Sequence, residues 1–247
     1  MTPLVHALGV GRGDVVAVAG AGGKTTLVYR LAREAREAGL SVIVTSTTHM
    51  GTLPEEITGP VLLEEEGDLG TRLGQVMRET GYATVLGRRE RPDKIVGLGG
   101  PRVDELVGRA DLLVIESDGA RGRSLKVPAA HEPVIPRSAT AVVVVAALDV
   151  LGQPLDDALV HRVELVAAAA GGKPGQVVDE DAVVSALTCA SGYPARIAPG
   201  TRAAVFLNKA EDAASRAAAE RIAPRLLGPY ALVAAGSARG GDVRVWK

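Results

Sequence analysis

A three-layer α/β fold built on a mainly parallel sheet is predicted for this chain, and three observations predict it. Short aliphatic runs alternate with stretches of helical periodicity along the whole length. The runs are continuous rather than polar-apolar alternating, as in strands covered on both faces. The core must also be aliphatic, because 47% of residues are hydrophobic but only 2% are aromatic. At 247 residues the chain is long enough for one large domain over 1–247, the simplest partition at this length.

Taken in order, residues 15–19 form an apolar run entering a glycine-rich turn. Leu27, Leu31 and Ala35 then recur at helical spacing until Gly39 can end the helix. Residues 41–45 are a second buried strand, so the unit is strand, loop, helix, strand with a right-handed crossover. Signals weaken over 54–101, which leaves room for a small insertion there. Within it, 61–63 reads as a strand, 69–79 as a helix, and 82–86 with 94–98 as a hairpin around charged 88–91. Pro101 can open a helix running to Arg109. Residues 112–115 and 141–146 are aliphatic strands, 157–170 and 180–190 helices, 203–207 a strand, 211–227 a helix and 230–234 a last strand.

The formal net charge is -1 and the pI about 6.4, which gives no electrostatic reason to expect nucleic acid or an anionic membrane as partner. Cys189 is the only cysteine, so neither an intrachain disulfide nor a cysteine metal cluster is expected. No stretch reaches the roughly 20 apolar residues needed to span a bilayer. A cytoplasmic protein is the expectation.

The most informative segment is Gly20-Ala21-Gly22-Gly23-Lys24-Thr25-Thr26. The full phosphate-loop pattern would require glycine at Val18, so the motif is a version shortened at its start, but it lies where such a loop must lie, between strand and helix. Glycines let backbone N–H groups approach phosphate oxygens, and the helix start adds favourable partial positive charge. Lys24 would bridge the outer phosphates of ATP or GTP, and the Thr25 hydroxyl would be a ligand of Mg²⁺, which keeps most of its water and phosphate oxygens.

Glu116-Ser117-Asp118-Gly119 follows the strand at 112–115. Strand alternation puts Glu116 and Asp118 on one side at the carboxyl end. One of them should serve magnesium; the assignment is Asp118 to the metal, because Gly119 lets the chain turn closely past the phosphates, and Glu116 to orienting water. Thr47 and His49 reach the same edge, and Arg121, Arg123, Lys126, His131 and Glu132 lie on a proline-stiffened loop; Thr47, His49, Arg121, Lys126, His131 and Glu132 are the substrate-binding candidates. Asn208-Lys209-Ala210-Glu211 resembles the Asn-Lys-x-Asp element with which many GTPases read guanine, but with Glu at the fourth position and Asp212 one residue late. Asn208 as a helix N-cap is the alternative.

Together, 20–26, Thr45 to His49, 116–121, Lys126-Val127-Pro128, His131-Glu132-Pro133, His161-Arg162 and Asn208-Lys209 resemble the YqeC-type family over nearly the whole chain. Members are described as accessory proteins of selenium-dependent molybdenum hydroxylases. The resemblance implies a P-loop NTPase-like fold and a role in maturing such an enzyme, with the hydroxylase or its maturation proteins as partners. The shortened loop alone also looks like that of Mur-type amide ligases. Three activities remain open: NTP hydrolysis, phosphoryl transfer or ligation on a small molecule, and nucleotide-gated scaffolding without turnover.

Overall fold

Nine segments, most of them aliphatic, hydrogen-bond side by side because most are buried on both faces, where an unpaired backbone would leave donors and acceptors without water. In the computed structural model, which describes residues 3–51 and 55–247, the strands are β1 Val15–Gly20, β2 Val42–Ser46, β3 Val61–Leu63, β4 Tyr82–Leu86, β5 Leu112–Glu116, β6 Ala141–Ala147, β7 Arg202–Asn208, β8 Leu232–Ser237 and β9 Gly240–Trp246. Their order is β9-β8-β7-β6-β1-β5-β2-β4-β3. Every pairing is parallel except β8 with β9.

The helices that cover the sheet are α1 Lys24–Glu37, α2 Leu69–Thr80, α3 Val163–Ala169, α4 Glu180–Thr188 and α5 Ala213–Leu226. Alternation along β1 divides them between two faces. Val16 and Val18 pack with Leu27 and Leu31 of α1. Ala17 and Ala19 share the opposite core with α3, α4 and α5, and Val15 points the same way toward Leu69 and Leu73 of α2. This is the predicted three-layer, mainly parallel α/β fold. Leu27 and Leu31 are fully buried, each contributing about 1.5–3 kcal/mol. The register of α1 is therefore set by its core face and not by its first residues.

Four expectations change. The hairpin assigned to 82–86 with 94–98 does not form: Tyr82–Leu86 is buried and joins the main sheet between β2 and β3. Arg88–Arg91 instead pairs with Lys94–Val96, which pairs in turn with His49–Gly51 in a separate three-stranded sheet. Segment 54–101 is thus largely built into the main fold, with only this small sheet standing apart from the nine strands; Pro54 itself lies outside the described residues. The helix expected over 157–170 is confined to Val163–Ala169, because Arg162 adopts a left-handed backbone (φ 62°). His161 consequently belongs to a two-residue strand, Val160–His161, paired with Leu125–Lys126. Asn208 is not an N-cap: α5 starts at Ala213 and is capped by Asp212, whose carboxylate accepts from the Ser215 N–H at 2.8 Å.

β1 lies between β5 and β6, so the loop after β1 opens over the carboxyl edge at the point where strand order reverses. That crevice is where open α/β sheets bind ligands. Among the described residues no helix is long and apolar enough to cross a membrane.

Candidate functional site

The loop after β1 needs glycine at three positions for separate reasons. Gly20, Gly22 and Gly23 all have left-handed φ values, 102°, 85° and 114°. A Cβ on Gly20 would lie 2.1 Å from the Val145 carbonyl oxygen, one on Gly22 2.4 Å from the Ala147 methyl, and one on Gly23 2.3 Å from the Asn208 amide nitrogen. The loop is thus pressed against β6 and β7 on its inner side. Gly23 forms the N-cap of α1 without any side-chain cap, so the first-turn N–H groups face outward with no competing side-chain acceptor.

Two buried side chains fix the loop. The Asp118 carboxylate, 1% exposed, accepts the Gly20 N–H with both oxygens at 3.1 Å. The Asn208 amide donates to the Gly22 carbonyl at 2.6 Å and accepts the Ala238 N–H at 2.7 Å. Asn208 therefore ties the phosphate loop to the segment following β8, and both ends of its amide are engaged in doing so. Lys209 salt-bridges Asp149 at 2.6 Å and lines the cleft beside it.

Lys24, the first residue of α1, turns its ammonium inward. Its Nζ donates to the Gly20 carbonyl at 2.8 Å and lies 3.4 Å from Asp118 and 3.8 Å from Glu116. The Thr25 hydroxyl donates to Glu116 Oε2 at 2.7 Å. Burial pushes the Glu116 carboxyl above its ordinary range, with the Lys24 charge and the Thr25 hydrogen bond opposing the rise. The two acids are not equivalent. Glu116 is joined to Thr25 at the rim of the cleft, whereas Asp118 is sealed behind the loop and does not line it. Glu116 stands beside the Thr25 hydroxyl, and Asp118 holds the loop.

Behind Asp118 runs a chain of charges, buried at Lys126 and half-buried at Glu132 and Arg162. Lys126, with no side-chain exposure, lies 2.9 Å from Asp118 and 2.8 Å from Glu132, and also donates to the Gly119 carbonyl. Arg162 completes the chain, donating to Glu132 at 2.7 Å. Burial tends to raise the Glu132 pKa, but hydrogen bonds from Lys126 and Arg162 outweigh it and hold the carboxyl down at about 2. Stabilisation from the charged form is therefore present above the ordinary value of about 4.5 and lost as the pH falls from there through about 2. We expect the Glu132→Gln variant to unfold with a visibly shallower pH dependence than wild type across that window, measured by urea midpoints at successive pH values. Parallel curves would contradict the assignment.

The cleft above these groups has a volume of about 1130 Å³. Of the substrate-binding candidates it exposes His49, Arg121 and Glu132. Three others are placed elsewhere. The Thr47 hydroxyl donates to the Val134 carbonyl, Lys126 is enclosed by its three partners, and His131 is three-quarters exposed outside the cleft. Arg123, His161 and Arg162 also line the cavity. Their shared signal in the sequence is the basic character of the two loops, 119–123 and 161–162, which pairing of Leu125–Lys126 with Val160–His161 brings together. Among the described residues no group of three or more His, Cys, Asp and Glu side chains could hold a metal ion, so a cation here would rely on few protein ligands.

Comparison with solved structures finds the signal recognition particle 54 kDa protein of Aeropyrum pernix K1, solved in complex with GDP, at TM-score 0.42 and 15% identity over 95% of this chain. The signal recognition particle receptor FtsY of Elizabethkingia anophelis is similar at TM-score 0.43 and 15% identity, again over 95% of this chain. The chain spans 44% of the first and 61% of the second. Among curated proteins, Escherichia coli (strain K12) "Uncharacterized protein YqeC" is 30% identical over 200 residues, covering 80% of this chain and 77% of the relative. The model of the YqeC protein family matches residues 16–164, a span that holds the loop, both acids and the charge chain to Arg162 and leaves Asn208 and Lys209 outside it. By both measures, the chain belongs to the YqeC family.

Proposed function

We propose that the protein binds a nucleoside triphosphate with magnesium at Gly20 to Thr26 and hydrolyses it. The observation that carries this reading is the constellation of Lys24, Thr25 and Glu116 at the start of α1, under a glycine loop held open by Asp118 and Asn208. The first-turn N–H groups of α1 and the Lys24 ammonium would receive the phosphates. Thr25 and Glu116 are a hydroxyl and a carboxylate hydrogen-bonded to each other, oxygen ligands of the hard type magnesium prefers, and they would hold the ion. Bound there, magnesium would neutralise charge on the transferring phosphoryl group. Asp118 would act as a positioning residue, since its oxygens are already shared between Gly20 and two lysines. The YqeC-type resemblance supports placing this activity in the maturation of a selenium-dependent molybdenum hydroxylase.

The large basic extension of the cleft favours a second reading, phosphoryl transfer or ligation on a small substrate. Product analysis separates the two: phosphate release without added substrate supports hydrolysis, and substrate-dependent ADP formation supports transfer. Guanine selectivity through Asn208 has little support, because its amide is engaged with Gly22 and Ala238.

The direct test of the loop is Lys24→Ala. Loss of a charged hydrogen-bond donor is worth about 1.5–3 kcal/mol, so triphosphate affinity should fall roughly 10- to 100-fold while the α1 core face keeps the helix folded. Equal affinity in wild type and variant, measured by calorimetry, would remove the loop from the account.

A further inference from the structure

Three non-glycine residues with left-handed backbone stand out among the described residues: Arg121 (φ 49°), Arg162 (φ 62°) and Lys209 (φ 59°). All three are basic and all three line the same cleft. Such conformations are disfavoured for side-chain-bearing residues and gather where function demands a particular placement. Lys209 and Arg162 have acidic partners, Asp149 and Glu132. The guanidinium groups of Arg121 and of its neighbour Arg123 form no hydrogen bond or ion pair with another described residue, although both line the cavity.

The local field is positive. Glu132 is shared between Lys126 and Arg162, which leaves it little charge to offer Arg121 or Arg123. His161, which lines the wall beside them, registers that field. Burial, and then the charges of Arg162 and Lys126, hold its imidazole down at about 4; Glu132 opposes them, and Arg121 adds a smaller lowering. It is therefore neutral near pH 7 and able to donate or accept one hydrogen bond per ring nitrogen. The cavity, at about 1130 Å³, exceeds the roughly 300–1,000 Å³ usual for a single small ligand, and its P-loop end is already assigned. The arginine loop is also tied to that end, since Asp118 clamps Gly20 and Lys126 clamps the Gly119 carbonyl two residues before Arg121.

We propose that Arg121 and Arg123, with Arg162 and His161 at the wall, form a second subsite that binds a small oxyanion-bearing molecule beside the bound nucleotide. The proposal rests on the nucleotide reading for its neighbour, and it deepens that reading by naming the chemical class of the second ligand. Arginine suits it because the planar guanidinium fork meets a phosphate or carboxylate with two parallel hydrogen bonds.

The test uses the full chain and inorganic phosphate as probe, at constant pH and ionic strength. With the loop filled by a magnesium-bound, non-hydrolysable ATP analogue, calorimetric titration should show one saturable phosphate site. In the Arg121→Gln/Arg123→Gln double variant that affinity should fall about tenfold or more, as expected when charge-assisted hydrogen bonds are removed, while affinity for the analogue stays within about twofold, since neither arginine is assigned to the phosphate loop. Absence of saturable phosphate binding, or equal phosphate affinity in the double variant, overturns the subsite. The Lys24→Ala variant without nucleotide separates this outcome from failure of the nucleotide reading. Phosphate binding that survives Lys24→Ala but not the arginine pair supports the subsite even if no triphosphate binds. Binding lost with Lys24→Ala and kept in the arginine variant places the phosphate on the loop and overturns it.

Discussion

Asp118→Ala should be the most destabilising single substitution at the site, lowering unfolding free energy by about 3–5 kcal/mol, the range for removing one partner of a buried ion pair. The side chain is 1% exposed and touches three elements at once: the Gly20 N–H, the Lys24 ammonium and the Lys126 ammonium. Its loss leaves a buried N–H without an acceptor and brings two lysines into a site with only Glu116 and Glu132 to balance them. Asp118→Asn should be milder, because the amide oxygen can still accept from Gly20. Urea unfolding checks both. A change for Asp118→Ala within about 0.5 kcal/mol, the usual scale for surface substitutions, would show that the charge chain is not structural.

Glu116→Gln should have the opposite profile, with little effect on the fold and a large one on turnover. The amide can still accept the Thr25 hydroxyl hydrogen bond, but the negative charge facing Lys24 and the metal position is gone. NTP hydrolysis should fall by about 10²–10³-fold, comparable to losing one preorganised electrostatic contact, and saturation should require more magnesium. Initial rates at a series of magnesium concentrations decide the matter. Unchanged rates in the variant would take Glu116 out of the metal site.

Much of the fold was legible because its signals are local. The run Val15–Gly20, the glycines and the helical spacing of Leu27, Leu31 and Ala35 lie within a few turns of each other, and each carries its own physical reason. The main sheet followed from continuous aliphatic runs. What could not be read was anything decided by a distant partner. The Asn208 amide holds Gly22, 186 positions away, a contact that no local pattern signals. The different placement of Glu116 and Asp118 depends on Lys126 and on how closely the loop approaches β5, neither of which strand alternation reveals. Tyr82–Leu86 has the pattern of either a hairpin strand or a buried parallel one, and its neighbours β2 and β3 decided between them. The helix beginning only at Val163 turned on the left-handed backbone at Arg162, where no glycine marks the break.

The most direct test of the central claim is a calorimetric titration of the wild-type chain with ATP and with GTP, each in excess magnesium and again with a chelator. Saturable, one-to-one binding is expected, weakening when magnesium is removed, with at most a mild preference between the two bases. Binding of neither nucleotide, or equal affinity with and without magnesium, would contradict it.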